Sequence, residues 1–165
     1  ALEARLDTPR WDGVPIYLRT GKRMAVGRRV ITLELEHPPM GMFDGRVAQG
    51  NRLTFEVGEP GHIRVGFNAK APGPAMTLGH AHMDYDYDKS FDPRGELEAY
   101  ERLLHDAMLD DHMLFNPAEG IERLWEVSAP LLEAPPAVQR YQPGTWGPVG
   151  ASGPSAVFVP QDHAR

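Results

Sequence analysis

The sequence predicts an α+β fold in which antiparallel strands come first and helices follow, and three observations predict it. Apolar residues alternate with polar ones through the first half of the chain, and their spacing changes to three and four beyond about residue 95. No helical segment intervenes between successive strands, which excludes the crossovers that a parallel sheet needs. With 165 residues, 41% of them hydrophobic, the chain can bury one sizeable core, so residues 1–165 are expected to form a single domain.

The strands come first. In VITLELE, Ile31, Leu33 and Leu35 alternate with Thr32, Glu34 and Glu36. Leu53, Phe55 and Val57 repeat the pattern, and so do Ile63, Val65, Phe67 and Ala69. The Pro/Gly-rich stretches HPPMG, GEPG and APGPA separate these runs as turn chemistry requires. Residues 76–87 continue the alternation, with Ala81, Met83, Tyr85 and Tyr87 on one face and His80, His82, Asp84, Asp86 and Asp88 on the other. An apolar-in, polar-out strand accounts for this histidine and aspartate pattern without a metal. Zinc would need a third ligand from a neighbouring strand, and no second His/Asp/Glu cluster in the sequence must lie opposite.

The helical period takes over in ELEAYERLLHDAMLDDHMLF, where Leu97, Tyr100, Leu104, Ala107 and Met108 predict an amphipathic helix of about five turns. A second helix is expected from NPAEGIERLW, with Asn116 as cap, Pro117 at the first helical position and Glu119 in a capping box. His105 and His112 could share a helix face and read as surface or interface residues rather than ligands. Residues 134–165 are rich in Pro and Gly and read as an extended tail anchored by Tyr141 and Trp146.

Composition narrows the function. Cysteine is absent, so disulfides and thiolate metal sites are excluded and a cytoplasmic setting is expected. The net charge of −6 disfavours nucleic acid and membrane surfaces as partners. No apolar run approaches the roughly 20 residues of a membrane helix, and ALEARLDTPRW has no signal-peptide pattern. The first residue is Ala rather than Met, which points to a piece of a longer chain. One cluster suits an anionic ligand. In YLRTGKRMAVGRR, Arg19, Lys22, Arg23, Arg28 and Arg29 occur with no acid among them, while Gly21 and Gly27 let a ligand approach the backbone. The alternative is a basic loop that pairs with surplus surface acids.

At this loop the chain is similar to a known family. WDGVPIYLRTGKRM resembles the segment that opens the C-terminal domain of glucose-6-phosphate dehydrogenase. FNAKAPG, the MDYDY strand, EAYERLLHDAMLDDHMLF, the spacing from Trp125 to Pro130-Leu131-Leu132, and YQPGTWGP resemble the same family in order and spacing. The resemblance implies a large, mostly antiparallel sheet with helices packed on one face, and a homodimer or tetramer built through the exposed sheet face. It implies oxidation of glucose 6-phosphate to 6-phosphogluconolactone in the pentose phosphate pathway, with NADP as cofactor bound mainly by an N-terminal nucleotide-binding domain. No G-x-G-x-x-G follows a strand here, and the family's base histidine has no matching context, so the resemblance implies a fragment that is inactive alone.

What carries over residue by residue is substrate binding by Lys22, assisted by Arg28 or alternatively Arg29, with Arg19 supporting the loop. In eukaryotic relatives the counterpart of Arg19 helps to hold a second, structural NADP. That site is not expected here, because Arg64, Gly66 and Glu126 replace its basic or aromatic positions. One departure bears on specificity: Glu56, Val57, Gly58 and Glu59 stand where many members have Arg-x-Gln-Pro, with the glutamine near the substrate. The alternatives are a divergent paralogue with altered substrate and a non-catalytic sugar-phosphate-binding or assembly module.

Overall fold

The computed structural model describes residues 1–37, 50–58, 61–92 and 97–148. Most of the HPPMG turn, residues Glu59 and Pro60, and the tail beyond Pro148 lie outside the described residues. The chain divides into two compact units, Ala1–Phe91 together with Arg140–Arg165, and Asp92–Gln139.

The first unit holds every strand. β1 (Leu2–Ala4) pairs antiparallel with β2 (Ile16–Leu18) in a two-stranded sheet. The connection turns through backbone bonds from Trp11 N–H to the Thr8 carbonyl and from Val14 N–H to the Trp11 carbonyl, each 3.0 Å. Gly13 takes the left-handed conformation there, at φ 74°. β3 (Val30–Glu34), β4 (Arg52–Glu56), β5 (His62–Lys70) and β6 (Leu78–Asp86) form a second sheet in sequential order, antiparallel throughout. Fold class and strand direction are therefore as the alternation predicts.

Register gives that alternation two distinct faces. Ile31, Phe55, Ile63 and Tyr85 lie opposite one another across the four strands, as do Leu33, Leu53, Val65 and Met83. Thr32, Thr54, Arg64 and Asp84 form a row on the other face. A slip of one residue would exchange the two faces, so the side-chain pattern itself enforces this pairing. The apolar face is not closed over: Ile31 is 56% exposed and Met83 59%, and among the described residues no hydrophobic side chain is buried. Much of the apolar surface that would normally drive folding is thus still available for burial.

The polar face holds a ladder of ion pairs between strands. Arg52 pairs with Glu34 at 2.5 Å, and Arg64 grips Asp84 with two nitrogens at 2.6 and 3.2 Å. His62 sits 2.8 Å from Asp86 and 3.4 Å from Asp84, and Lys89 reaches Asp86 at 2.5 Å. The hydrogen bond from Arg64 holds the Asp84 carboxyl below its ordinary value. Bonds from Lys89 and then His62 do the same for Asp86.

These depressed values fix a sign. A carboxylate whose folded pKa is lowered stabilises the fold fully above its unfolded value, near pH 4, and loses that contribution as pH falls through the folded value. Replacing Asp84→Asn removes the charge and keeps the shape. The pairs are partly exposed, so about 1 kcal/mol is the upper expectation at neutral pH, which corresponds to a Tm lower by roughly 2–4 °C. Thermal melts from pH 7 to pH 3 should show the gap between wild type and variant closing on acidification. A gap that widens as pH falls would contradict the ladder.

β6 ends one residue before the alternation predicts. Tyr87 and Asp88 do not continue the strand but open the short helix α1 (Tyr87–Ser90). The Ser90 hydroxyl donates to the Asp86 carbonyl at 2.9 Å, and the rings of Tyr87 and Phe91, four residues apart across this turn, pack at 5.1 Å.

The second unit holds α2 (Ala99–Met108) and α3 (Ala118–Glu133). α2 is shorter than its sequence period predicts. Leu97 precedes it, and Glu98 and Glu101 form the capping box that starts it. Asp110 ends it in the left-handed conformation at φ 59°, with Asp111 N–H donating to the Asp106 carbonyl at 2.9 Å and Asp110 N–H to that of Ala107. This is a Schellman closure with aspartate in the place usually taken by glycine. The Asp111 carboxylate then accepts from Met113 N–H at 2.9 Å, which turns the chain away. α3 also starts differently: its cap is Pro117, with no side-chain cap bond, so Asn116 does not cap and Glu119 falls one position short of a capping box. The helix continues through Pro130 to Glu133.

Candidate functional site

The basic loop connects β2 to β3. Arg19, Gly21, Arg23, Met24, Gly27 and Arg28 are among the residues that line a cavity of about 230 Å³. This is below the usual range for drug-sized ligands, and Lys22 is not among its lining residues. The loop has no regular structure of its own, and Arg23 takes a left-handed backbone at φ 57°.

What shapes it is the far end of the chain. The Tyr141 hydroxyl donates to the Lys22 carbonyl at 2.6 Å, Gly144 N–H to that of Arg23 at 2.8 Å, and Ala25 N–H to that of Thr145 at 3.1 Å. Arg19 Nη1 donates to the Trp146 carbonyl at 2.9 Å. The anchoring role expected of Tyr141 and Trp146 is thus exerted on the basic loop. Sequence reading did not find that target, because the partners lie 119 and 127 positions apart and no local pattern connects them.

The candidate cations fare differently. Lys22 is exposed, and its ammonium makes no hydrogen bond or ion pair among the described residues. Arg28 grips Glu56 on β4 with two nitrogens, at 2.9 and 2.6 Å. That bond holds the Glu56 carboxyl below its ordinary value. The glutamate that departs from the family pattern is therefore the partner of one of the cations the resemblance assigns to substrate. Arg29 is exposed, and its carbonyl accepts from Val57 N–H at 2.8 Å, which ties the end of the loop to β4.

The residues weighed for a metal or a second NADP have the following neighbours. The ring of His80 lies over Gly66, whose absent Cβ would sit 3.1 Å from Nε2, and His82 is 3.4 Å from Asp84. Among the described residues no three His, Asp or Glu side chains are grouped to hold a metal ion. Arg64 is held by Asp84, and Glu126 by Arg123 at 2.7 Å. His105 lies 3.3 Å from Asp106 and His112 3.0 Å from Asp110, each within its own turn. Among the described residues no glycine-rich turn joins a strand to a helix, the arrangement that holds a dinucleotide's phosphates in a Rossmann fold. No described helix is long and apolar enough to cross a membrane.

Fold and loop together define an α+β chain whose first unit presents a cationic loop strapped by residues 141–146. Residues 1–156 match the family model described as glucose-6-phosphate dehydrogenase, C-terminal domain, and the chain belongs to that family. It is 38% identical over 156 residues to glucose-6-phosphate 1-dehydrogenase 2 of Mycobacterium tuberculosis, covering 90% of this chain and 30% of the relative. The enzyme of Rhizobium meliloti is 36% identical, over 90% of this chain and 31% of its own. A solved glucose-6-phosphate dehydrogenase in complex with its substrate glucose-6-phosphate superposes with a TM-score of 0.78 at 31% identity, over 90% of this chain and 31% of that one. The chain thus spans about a third of the length of these relatives.

Proposed function

We propose that this chain is the substrate-completing and dimer-forming part of a cytoplasmic, NADP-dependent glucose-6-phosphate dehydrogenase, which oxidises glucose 6-phosphate to 6-phosphogluconolactone in the pentose phosphate pathway. The observation that carries the reading is Lys22: its backbone is fixed by the strap while its ammonium has no partner among the described residues. Lys22 donates a charge-assisted hydrogen bond to the phosphosugar, and Arg29 and Arg28 add positive potential beside it. Arg19 supports the loop. NADP supplies the hydride acceptor when bound, and an N-terminal nucleotide-binding domain holds it.

Hydride transfer needs a bound nicotinamide and a positioned base, which this reading assigns to that N-terminal domain. The purified 165-residue chain, incubated with glucose 6-phosphate and either nicotinamide, should therefore produce no reduced cofactor, while the whole enzyme containing it does. Absorbance of the reduced nicotinamide is the measurement. Turnover by the chain alone would overturn the division of labour.

The Arg28–Glu56 pair favours a second reading, a divergent paralogue with altered substrate, because one cation assigned to the sugar phosphate already has a carboxylate. A panel of phosphorylated and free sugars, assayed on the whole enzyme, separates the two readings by which substrate has the highest kcat/KM.

A further inference from the structure

We infer that Tyr141 is a positioning residue that acts on substrate through Lys22, and that the segment from Tyr141 to Trp146 is a strap that preorganises the basic loop. The inference rests on the role proposed above for Lys22. A loop without regular structure must be ordered when ligand binds, and that ordering costs conformational entropy that is subtracted from affinity. The strap does this in advance through bonds to the backbone of Arg23 and Ala25, to the side chain of Arg19, and to the carbonyl of Lys22 itself. Because Tyr141 holds the backbone of Lys22 and not its ammonium, the charge stays available.

Two further features fit this assignment. Gly21 is needed for the tyrosine to seat, since a Cβ there would lie 2.9 Å from the Tyr141 hydroxyl and 3.1 Å from Met24 Sδ. That gives the glycine before Lys22 a steric reason in this chain. Arg23 adopts a conformation that a non-glycine residue takes only at a cost, and the bond from Gly144 to its carbonyl helps to hold it there. The strap is itself tightened by the Thr145 hydroxyl donating to the Gln142 carbonyl at 2.7 Å.

The test is a double-mutant cycle in the whole enzyme, with glucose 6-phosphate as substrate. Tyr141→Phe removes only the hydroxyl. It should raise KM for glucose 6-phosphate about two- to tenfold, the size of one neutral hydrogen bond, leaving the KM for the nicotinamide unchanged. In the Lys22→Ala background the same substitution should have no further effect on KM, because the group it positions is gone. Gly21→Ala should reproduce the Tyr141→Phe phenotype, and it keeps the test available should the phenylalanine variant fold poorly. An effect of Tyr141→Phe that persists in full without Lys22 would overturn the positioning role and leave that of Lys22 standing. A silent Lys22→Ala would instead overturn the reading of Lys22 on which the inference rests. No change in KM for either Tyr141→Phe or Gly21→Ala, with Lys22→Ala impaired, would show that the strap is ornamental to binding.

Discussion

Replacing Lys22→Ala in the whole enzyme should lower kcat/KM for glucose 6-phosphate roughly ten- to over a hundredfold and leave the KM for the nicotinamide nearly unchanged. The magnitude is that of a hydrogen bond with a charged partner, about 1.5–3 kcal/mol. Two features of the loop make the effect specific to the sugar phosphate. The ammonium has no ion pair to lose among the described residues, so removing it costs the fold little. The backbone beneath it is anchored through its carbonyl, which alanine keeps. Thermal stability should therefore change by no more than a surface charge allows, under about 1 kcal/mol.

Arg28→Ala should act in the same direction but more weakly. Its guanidinium is already matched by Glu56, so the free enzyme offers less uncompensated charge at that point, and Arg29 lies beside it. A change of less than about twofold for Lys22→Ala at fixed ionic strength would make it one more solvated lysine, because an exposed charge contributes roughly 0–1 kcal/mol.

The strand half of the fold was legible because its period is unambiguous: Ile31, Leu33, Leu53, Phe55, Ile63 and Val65 alternate with polar neighbours, and turn residues separate the runs. What each polar residue would meet was not legible. Glu56 and Arg28 are 28 positions apart, and Arg64 and Asp84 are 20 apart, so only register brings them together. The run of histidines and aspartates in β6 is paired by the same means: Asp84 is matched by Arg64 and His62, and Asp86 by His62 and Lys89.

Helix ends were missed for a different reason. Apolar spacing continues past Met108, but Asp110 can adopt a left-handed backbone, and the carbonyls of the last turn then close on Asp110 and Asp111. Pattern reading has no access to that choice. Of the loop, the cations could be read directly, whereas the strap that holds them required a contact between the two ends of the first unit.

A Met83→Glu substitution should convert the whole enzyme from an assembled species to a monomer. Met83 stands in the row with Leu33, Leu53 and Val65, next to the row that contains Ile31 and Tyr85, which are 56% and 40% exposed. Open apolar rows of this kind on a sheet are what a second copy would cover, since soluble monomers rarely leave a large contiguous apolar patch in water. A glutamate here stays solvated in the monomer, because the site is 59% exposed, but assembly across this face would bury two unpaired carboxylates. Several kcal/mol per ion corresponds to a dissociation constant weakened about a thousandfold or more, enough to read by sedimentation at micromolar concentration. His82→Glu supplies the control. It introduces the same charge on the adjacent residue of β6, but on the opposite, polar face, and should leave assembly intact. If His82→Glu dissociates the enzyme and Met83→Glu does not, the interface lies on the ion-pair face. If both leave it assembled, the sheet does not build the dimer.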